Sequence, residues 1–346
     1  MLAIGVLGEL DHHETADWHP ERPIRLVAVQ RGIEDADLGE AVVRVEPRLA
    51  SLAELSRVHP PDYLDALDAL CEVGGGGLDP DTLVSTGSLA TARLAAGTGL
   101  AAIEVLAAGQ ADVAFVAVRP PGHHARPSEA MGFCLVNNVA VAAAALADRG
   151  ERVLIVDWDV HHGNGTQDIF WDDPRVLYVS THQYPLFPGT GRISETGGPG
   201  APGATLNLPF PEGTTGDVLL RALDEVVAPA VEAFAPGWVL VSAGFDGHRD
   251  DPLGGFSLST GDFCLLAERV AAFAPRPGRL ALFLEGGYDL SALRRSVAAT
   301  LSTLVGQPVA AEAATSGGPG GTTVEAAKVI RARLAPPPRL SQEVPE

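Results

Sequence analysis

The sequence predicts an α/β fold, with one parallel β-sheet and helices packed on both of its faces. Three observations predict it. From about residue 88, short apolar runs rich in β-branched residues alternate with longer helical segments, the pattern of strands joined by helical crossovers. Four of these runs lead at once into dense polar clusters, which is where open parallel sheets place their sites. The 346 residues show no break in composition before about Ala310. Residues 1–310 are therefore read as one catalytic domain, and residues 311–346 as a loosely packed or partly disordered C-terminal extension.

Residues 1–14 (MLAIGVLGELDHHE) open on an apolar run, lack a basic stretch and soon turn acidic, so they read as a first strand and not as a signal peptide. Residues 19–26 (HPERPIRL) form a polar loop leading into a helix, and residues 60–71 a helix opened by proline. The glycines at 74–77 make a flexible loop followed by Asp79 and Asp81. On pattern alone that segment is equally the rim of a site or an exposed linker. Residues 88–108 form a long Ala-rich helix with Ser88 as its N-cap. Strands follow at 111–118, 152–156, 176–180, 238–242 and 279–284. Helices follow at 137–148, 216–234, 261–273 and 290–305, and the helix at 216–234 is broken near Pro229.

An apolar fraction of 46% is ample for a core. No apolar run reaches the roughly 18 residues of a membrane span. The net charge of −20 argues against nucleic-acid binding. It would draw in a cationic substrate or, equally, serve only solubility. Cys71, Cys134 and Cys264 are odd in number and follow no CxxC spacing, which points to a reducing cytoplasm.

The chemistry centres on residues 152–166, RVLIVDWDVHHGNGT. If the chain stays extended beyond the strand, Asp157, Asp159 and His161 share one face and His162 takes the other, packed side. Gly163 and Gly165 let the backbone turn sharply afterwards. Three other strands lead into RPPGHHA (119–125), AGFDGHRDDPLGG (243–255) and EGGYDL (285–290). If the four clusters converge, Asp159, His161 and Asp246 supply two carboxylates and an imidazole, leaving a position open as catalytic zinc sites do. His123 and His124 can both reach the water of such a metal, and Asp157 and Asn164 can orient those imidazoles. Tyr288, in a Gly-Gly-Tyr turn, can donate to a developing oxyanion. This inventory suits hydrolysis of an amide or an ester. Phe133 and Phe187, in the glycine-flanked segments MGFC and LFPGTG, are either core residues or the walls of a narrow apolar channel. His248, Asp250 and Asp251 read as structural. His12, His13, His19 and His59 have no spacing partner and read as surface or loop-packing residues, and His182 as a residue supporting the site from behind.

With these residues in view, the chain resembles the zinc-dependent histone deacetylase family and its bacterial amidohydrolase and acetylpolyamine amidohydrolase relatives. The stretches HPERPIRL, RPPGHHA, GFCLVNN, DWDVHHGNG, FPGTG, SAGFD, DDPLGG and EGGY stand in the family's order between Gly5 and Val305. Asn164, where one branch carries aspartate, resembles the class II side. The resemblance implies the arginase/deacetylase fold, α/β with a single parallel sheet of about eight strands sandwiched by α-helices. It implies a catalytic Zn²⁺ held by Asp159, His161 and Asp246, with His124 as general base and then acid. His123, bonded to Asp157, would act as an electrostatic partner, and Tyr288 would polarise the acyl carbonyl. Phe133 and Phe187 would flank the acyl-lysine stem, Gly132 would offer its carbonyl to the substrate amide, and Leu253 would close the rim. Polyamine-specialised relatives carry an acid at that last position. Structural potassium is implied at an inner site (Asp157, Asp159, His161, Ser180) and at an outer one partly matched by Phe170, Asp173 and Val176. An acid from 79–81 would clamp the peptide backbone.

The expected function is that of a cytoplasmic zinc deacetylase acting on N-acetyl-lysine in a protein or peptide, or on a similar acylated amine, by metal-activated water. The alternatives are an acetylpolyamine or other small-molecule amidohydrolase, an arginase-like ureohydrolase, and a catalytically silent module that binds acyl-lysine. The ureohydrolase chemistry wants two metals and more aspartates. Neither nucleic acid nor membrane is an expected partner, and a homo-oligomer is compatible with the sequence.

Overall fold

The computed structural model describes residues 1–307 and 310–334. The chain opens with β1 (Leu2–Val6), α1 (Ile24–Asp35) and the short β2 (Val42–Arg44). Helices α2 (Leu52–Leu55) and α3 (Pro61–Glu72) precede an antiparallel ribbon of β3 (Gly76–Gly77) and β4 (Leu83–Val84). After α4 (Ser88–Ala107) come β5 (Val113–Ala117), α5 (Asn138–Ala147), β6 (Val153–Asp157), α6 (Asn164–Phe170), β7 (Val176–Gln183) and β8 (Thr205–Phe210). The last third holds α7 (Gly216–Ala222), α8 (Ala228–Phe234), β9 (Trp238–Ala243), α9 (Thr260–Ala271), β10 (Leu280–Leu284), α10 (Leu290–Leu304) and α11 (Gly321–Arg333).

Eight strands form one sheet in the order β2-β1-β5-β10-β9-β6-β7-β8, and every pairing in it is parallel. The expected α/β sandwich is therefore the observed fold. Every residue of β5, β6, β9 and β10 is buried, as strands covered on both faces must be. Both edge strands, β2 and β8, are absent from the sequence reading. β2 has only three residues. β8 contains Pro209, which pairs in register with His182; a strand interior normally rejects proline, but an edge strand tolerates it.

Local chemistry sets the helix ends. Asn137 caps α5 by accepting from Ala140 N at 3.0 Å, and Asp289 caps α10 by accepting from Ala292 N at 2.7 Å. Ser88 is not the N-cap expected for α4. That position is Gly87, and the Ser88 hydroxyl instead accepts from Ser85 N and meets the His13 ring, both at 2.7 Å. The break expected near Pro229 is a π-helical turn over Leu223–Val227, which places the proline in the first turn of α8 where its missing N–H is harmless. α4 is long and apolar enough to cross a membrane, but 67% of its most apolar stretch is buried inside the protein.

Residues 311–334 are held more firmly than their composition suggests. Glu312 N donates to the Thr260 hydroxyl at 2.8 Å, Thr315 N to Asp262 at 3.0 Å and Gly318 N to the Thr215 hydroxyl at 2.8 Å. α11 then buries Val324 and Ala327. The attachment runs mostly through backbone donors, so the Gly/Thr-rich sequence carries no apolar signal of it. The remainder of the expected extension, 335–346, lies outside the described residues.

Candidate active site

The sheet brings the four polar clusters to one edge. β5, β10, β9 and β6 are consecutive neighbours, and Asp157 at the end of β6 lies opposite both Ser180 and Ser242. Their carboxyl ends are therefore level, and the loops that follow meet above them.

Asp159, His161 and Asp246 offer ligand atoms that all lie within 4.8 Å of one another. His161 Nδ1 is 3.1 Å from Asp159 Oδ1 and 3.1 Å from Asp246 Oδ2. Backbone donors fix both carboxylates: Val160 N binds Asp246 Oδ1 at 3.0 Å and Gly286 N binds Asp159 Oδ2 at 2.8 Å. A Cβ on Gly286 would collide with the carboxylates of Asp246 and Asp159, and one on Gly244 with that of Asp159. Two buried carboxylates this close need a positive charge between them. Burial and the neighbouring Asp159 charge push Asp246 up to about 7, while His161, opposed by burial, is raised to about 10 by its bonds to the two aspartates. A divalent ion can replace that proton, and a donor set of two carboxylates and one imidazole suits zinc. The residues therefore fit the metal that the sequence led us to expect.

The two histidines of RPPGHHA sit beside this cluster in different company. His123 Nδ1 meets Asp157 Oδ2 at 3.0 Å, whereas His124 Nδ1 meets the amide oxygen of Asn164 at 2.8 Å. Burial opposes charge on both. At His123, Asp157, Asp159 and Glu285 overcome it and raise the ring to about 10. His124 lacks a carboxylate partner, and burial together with the nearby His123 and His161 holds it well below the ordinary histidine range. Asp157 also accepts from the Tyr178 hydroxyl at 3.1 Å.

A cavity of about 290 Å³ leads to the cluster. His124, His161, Gly132, Phe133, Phe187, Leu253 and Tyr288 all line it, so the structure gathers the expected channel residues. Gly132, at φ +54°, must be glycine because a Cβ would run into the rings of His124 and Phe187. Phe133 N is held by the Thr82 hydroxyl at 3.1 Å. Of the two acids near the rim, Asp81 lines the cavity. Asp79 turns inward and accepts from Asp81 N at 2.9 Å and from Thr82 Oγ1 at 2.9 Å. The ring of Tyr288 lies under the Arg25 guanidinium (4.9 Å) and edge-on to Phe133 (5.8 Å), and burial pushes its phenol well above the usual range.

His13, His19 and His59 are buried loop-packing residues, one of the two roles expected of them, and His19 lines the channel with its ring 4.9 Å from that of Phe133. One expectation needs correction. His182 lies within β7 rather than past it, with its ring 4.7 Å from His162. His162 points away from the cluster as expected, bonded to Thr190 at 2.8 Å and Gln167 at 3.1 Å. Asp251 is structural as expected, and it anchors the loop of Tyr288 by accepting from Tyr288 N at 2.6 Å.

Sequence reasoning missed Glu285 and Arg25. Glu285 is fully buried, and its carboxylate accepts from Gly122 N at 2.7 Å, His123 N at 3.1 Å and Ser242 Oγ at 3.2 Å. Arg25 binds the carbonyls of Glu285 (2.5 Å) and Gly287 (2.8 Å) and is itself paired with Glu21 at 3.0 Å. Both belong to conspicuous stretches, EGGY and HPERPIRL, but their partners are far away in the chain.

Comparison with known proteins agrees with this geometry. Residues 19–304 match the family described as the histone deacetylase domain. A probable deacetylase of Archaeoglobus fulgidus is 39% identical over 283 residues, which cover 80% of this chain and 79% of that protein. A histone deacetylase-like amidohydrolase of Pseudomonas aeruginosa is 43% identical over 245 residues, covering 69% of this chain and 64% of that one. The crystal structure of the HDA15 HD domain superposes with a TM-score of 0.88 at 35% identity, over 95% of each chain.

Proposed function

The chain belongs to the histone deacetylase family, and from that premise we propose that it is a zinc-dependent deacetylase of N-acetyl-lysine, or of a similar acylated amine. Its place among the family's deacetylases and amidohydrolases rests on the comparisons. The choice of metal and substrate is our reading. One observation carries it: Asp159, His161 and Asp246 close into one cluster at the floor of a cavity that His124 and Tyr288 also line.

Zn²⁺ on those three residues would supply Lewis acidity for activating water and polarising the acyl carbonyl. The protein's own groups divide the remaining work. His124 donates Nδ1–H to Asn164, which leaves Nε2 free to take a proton as general base and return it to the leaving amine. His123, charged beside Asp157, favours negative charge at the reacting centre. Tyr288, kept protonated by burial, donates to the acyl oxygen. Phe133 and Phe187 hold the acyl-lysine stem, Gly132 offers its carbonyl to the substrate amide, and Asp81 accepts from the peptide backbone at the rim.

We place potassium, as a structural ion, at the loop around Asp157, Asp159, His161 and Ser180, with a second position at Phe170, Asp173 and Val176. The free thiols Cys71, Cys134 and Cys264 support a reducing, cytoplasmic setting. Elemental analysis of protein purified without added metal, together with turnover of an acetyl-lysine peptide, tests this reading. We expect one zinc per chain. Asp159→Ala and Asp246→Ala should lose both zinc and turnover, and His124→Ala turnover alone. Two equivalent transition metals per chain would favour the ureohydrolase chemistry instead.

A further inference from the structure

Trp18 is 76% exposed, one of the two most exposed large hydrophobic side chains among the described residues, yet it lines the cavity that leads to the catalytic cluster. Its backbone is not free. His19 N donates to Ala16 O at 2.8 Å, and the His19 ring bridges Glu21 O at 2.7 Å and Asp81 O at 2.9 Å. His19 in turn lies edge-on to Phe133, so one wall of the channel continues outward from Phe133 through His19 to the Trp18 indole. Phe187, Leu186 and Leu253 also line this cavity. Among the described residues no lysine or arginine lines this cavity, and Asp81 is its one acid.

We propose that Trp18 is a docking platform for the amine half of the substrate. The favoured substrate is then a peptide in which a large apolar or aromatic side chain adjoins the acylated lysine. This rests on the deacetylase reading above and adds what surrounds the acyl-lysine. A tryptophan held in water by a fixed backbone, at the mouth of a reaction channel, exposes apolar surface that only an incoming group can cover. Rigid aromatic anchors of this kind carry much of the binding energy where two molecules meet. The stem of an acylated lysine fills the space between Phe133 and Phe187, so the group that reaches Trp18 is the residue next to it. Asp81 lies on the same rim, within reach of that residue's backbone N–H. A free acylated diamine has neither a side chain for the indole nor a backbone N–H for the acid.

The zinc-loaded full-length enzyme tests this with three substrates: free N-acetyl-lysine, an acetyl-lysine heptapeptide with alanine on both sides, and the same peptide with tryptophan in place of one alanine. kcat/KM should rise about ten-fold from the alanine to the tryptophan peptide, as filling one apolar subsite typically gives. Trp18→Ala should abolish that ratio, and Trp18→Phe should keep most of it. The difference should appear in KM, which a general loss of folding would not single out. Equal kcat/KM for the two peptides, or a ratio untouched in Trp18→Ala, would overturn the inference and leave the deacetylase reading standing. Failure to hydrolyse any of the three would overturn both.

Discussion

The Nδ1 of His124 lies 2.8 Å from the side-chain oxygen of Asn164, an amide and not a carboxylate. That contact fixes the tautomer without adding negative charge, so the ring stays neutral and able to accept a proton. Asn164→Asp would place a carboxylate at the same distance and favour the imidazolium. The pH at which kcat/KM falls to half on the acid side should then rise by about one unit, with zinc content unchanged. An unmoved profile would show that His124 is not the group titrating.

Glu285 ties the loop of His123 to the end of β9 through three hydrogen bonds. Glutamine can make the same three contacts, because its oxygen accepts from both backbone N–H groups and its amide donates to the Ser242 hydroxyl. Glu285→Gln should therefore keep most of kcat. Glu285→Ala, which leaves the N–H groups of Gly122 and His123 unpaired, should lose about 10–100-fold, as supporting groups of metal sites commonly do. Steady-state kinetics at matched zinc content measures both.

For Tyr288→Phe we expect kcat to fall by about 10²–10³ with zinc intact. The Arg25 and Phe133 contacts are made by the ring, so phenylalanine preserves the packing and removes only the donor. Near-normal kcat would take the phenol out of the chemistry.

Leu253 lines the rim and carries no charge. Leu253→Glu should raise kcat/KM for acetylspermidine relative to an acetyl-lysine peptide by about five-fold, the worth of one exposed ion pair. A wild-type enzyme already far better on acetylspermidine would transfer that selecting role to Asp81.

His59 gives stability a dependence on pH. Its Nδ1 lies 3.1 Å from Pro127 O and its Nε2 accepts from Asn137 N at 2.9 Å, so only the neutral ring satisfies both. Burial lowers its pKa from 6.5 to about 4 despite the bond to Pro127. The unfolded chain takes up this proton near 6.5 and the folded chain only near 4. The stabilisation is full above the upper value and is lost as pH falls, by roughly 3 kcal/mol from this residue. His13 and His182, also lowered to about 4, act in the same window. Chemical denaturation between pH 7 and 4 should show the loss, and a shallower decline in His59→Gln would isolate its share.

The central strands were legible because β5, β6, β9 and β10 are buried on both faces and so read as unbroken apolar runs. The edges were not: three residues of β2 are too few for a pattern, and Pro209 disguises β8. The candidate metal cluster was legible because Asp159 and His161 are two apart and Asp246 follows another apolar strand. Glu285 and Arg25 were not, since what defines each is a contact with residues 163 or 260 positions away in the chain. Ser88 misled for a local reason, as its hydroxyl serves His13 and Ser85 instead of its own helix.

Among the described residues, the ribbon of β3 and β4 pairs only with itself and shares no ladder with the main sheet. It nevertheless presents Asp81 to the rim and, through Thr82, holds the backbone of Phe133. Length or sequence can therefore change in its turn without disturbing the register of any strand beneath Asp159, His161 and Asp246. On the proposed function, substrate choice could then diversify while the floor of the site stays intact. A library confined to residues 78–81 should yield many folded, zinc-loaded variants that differ in which amines they release.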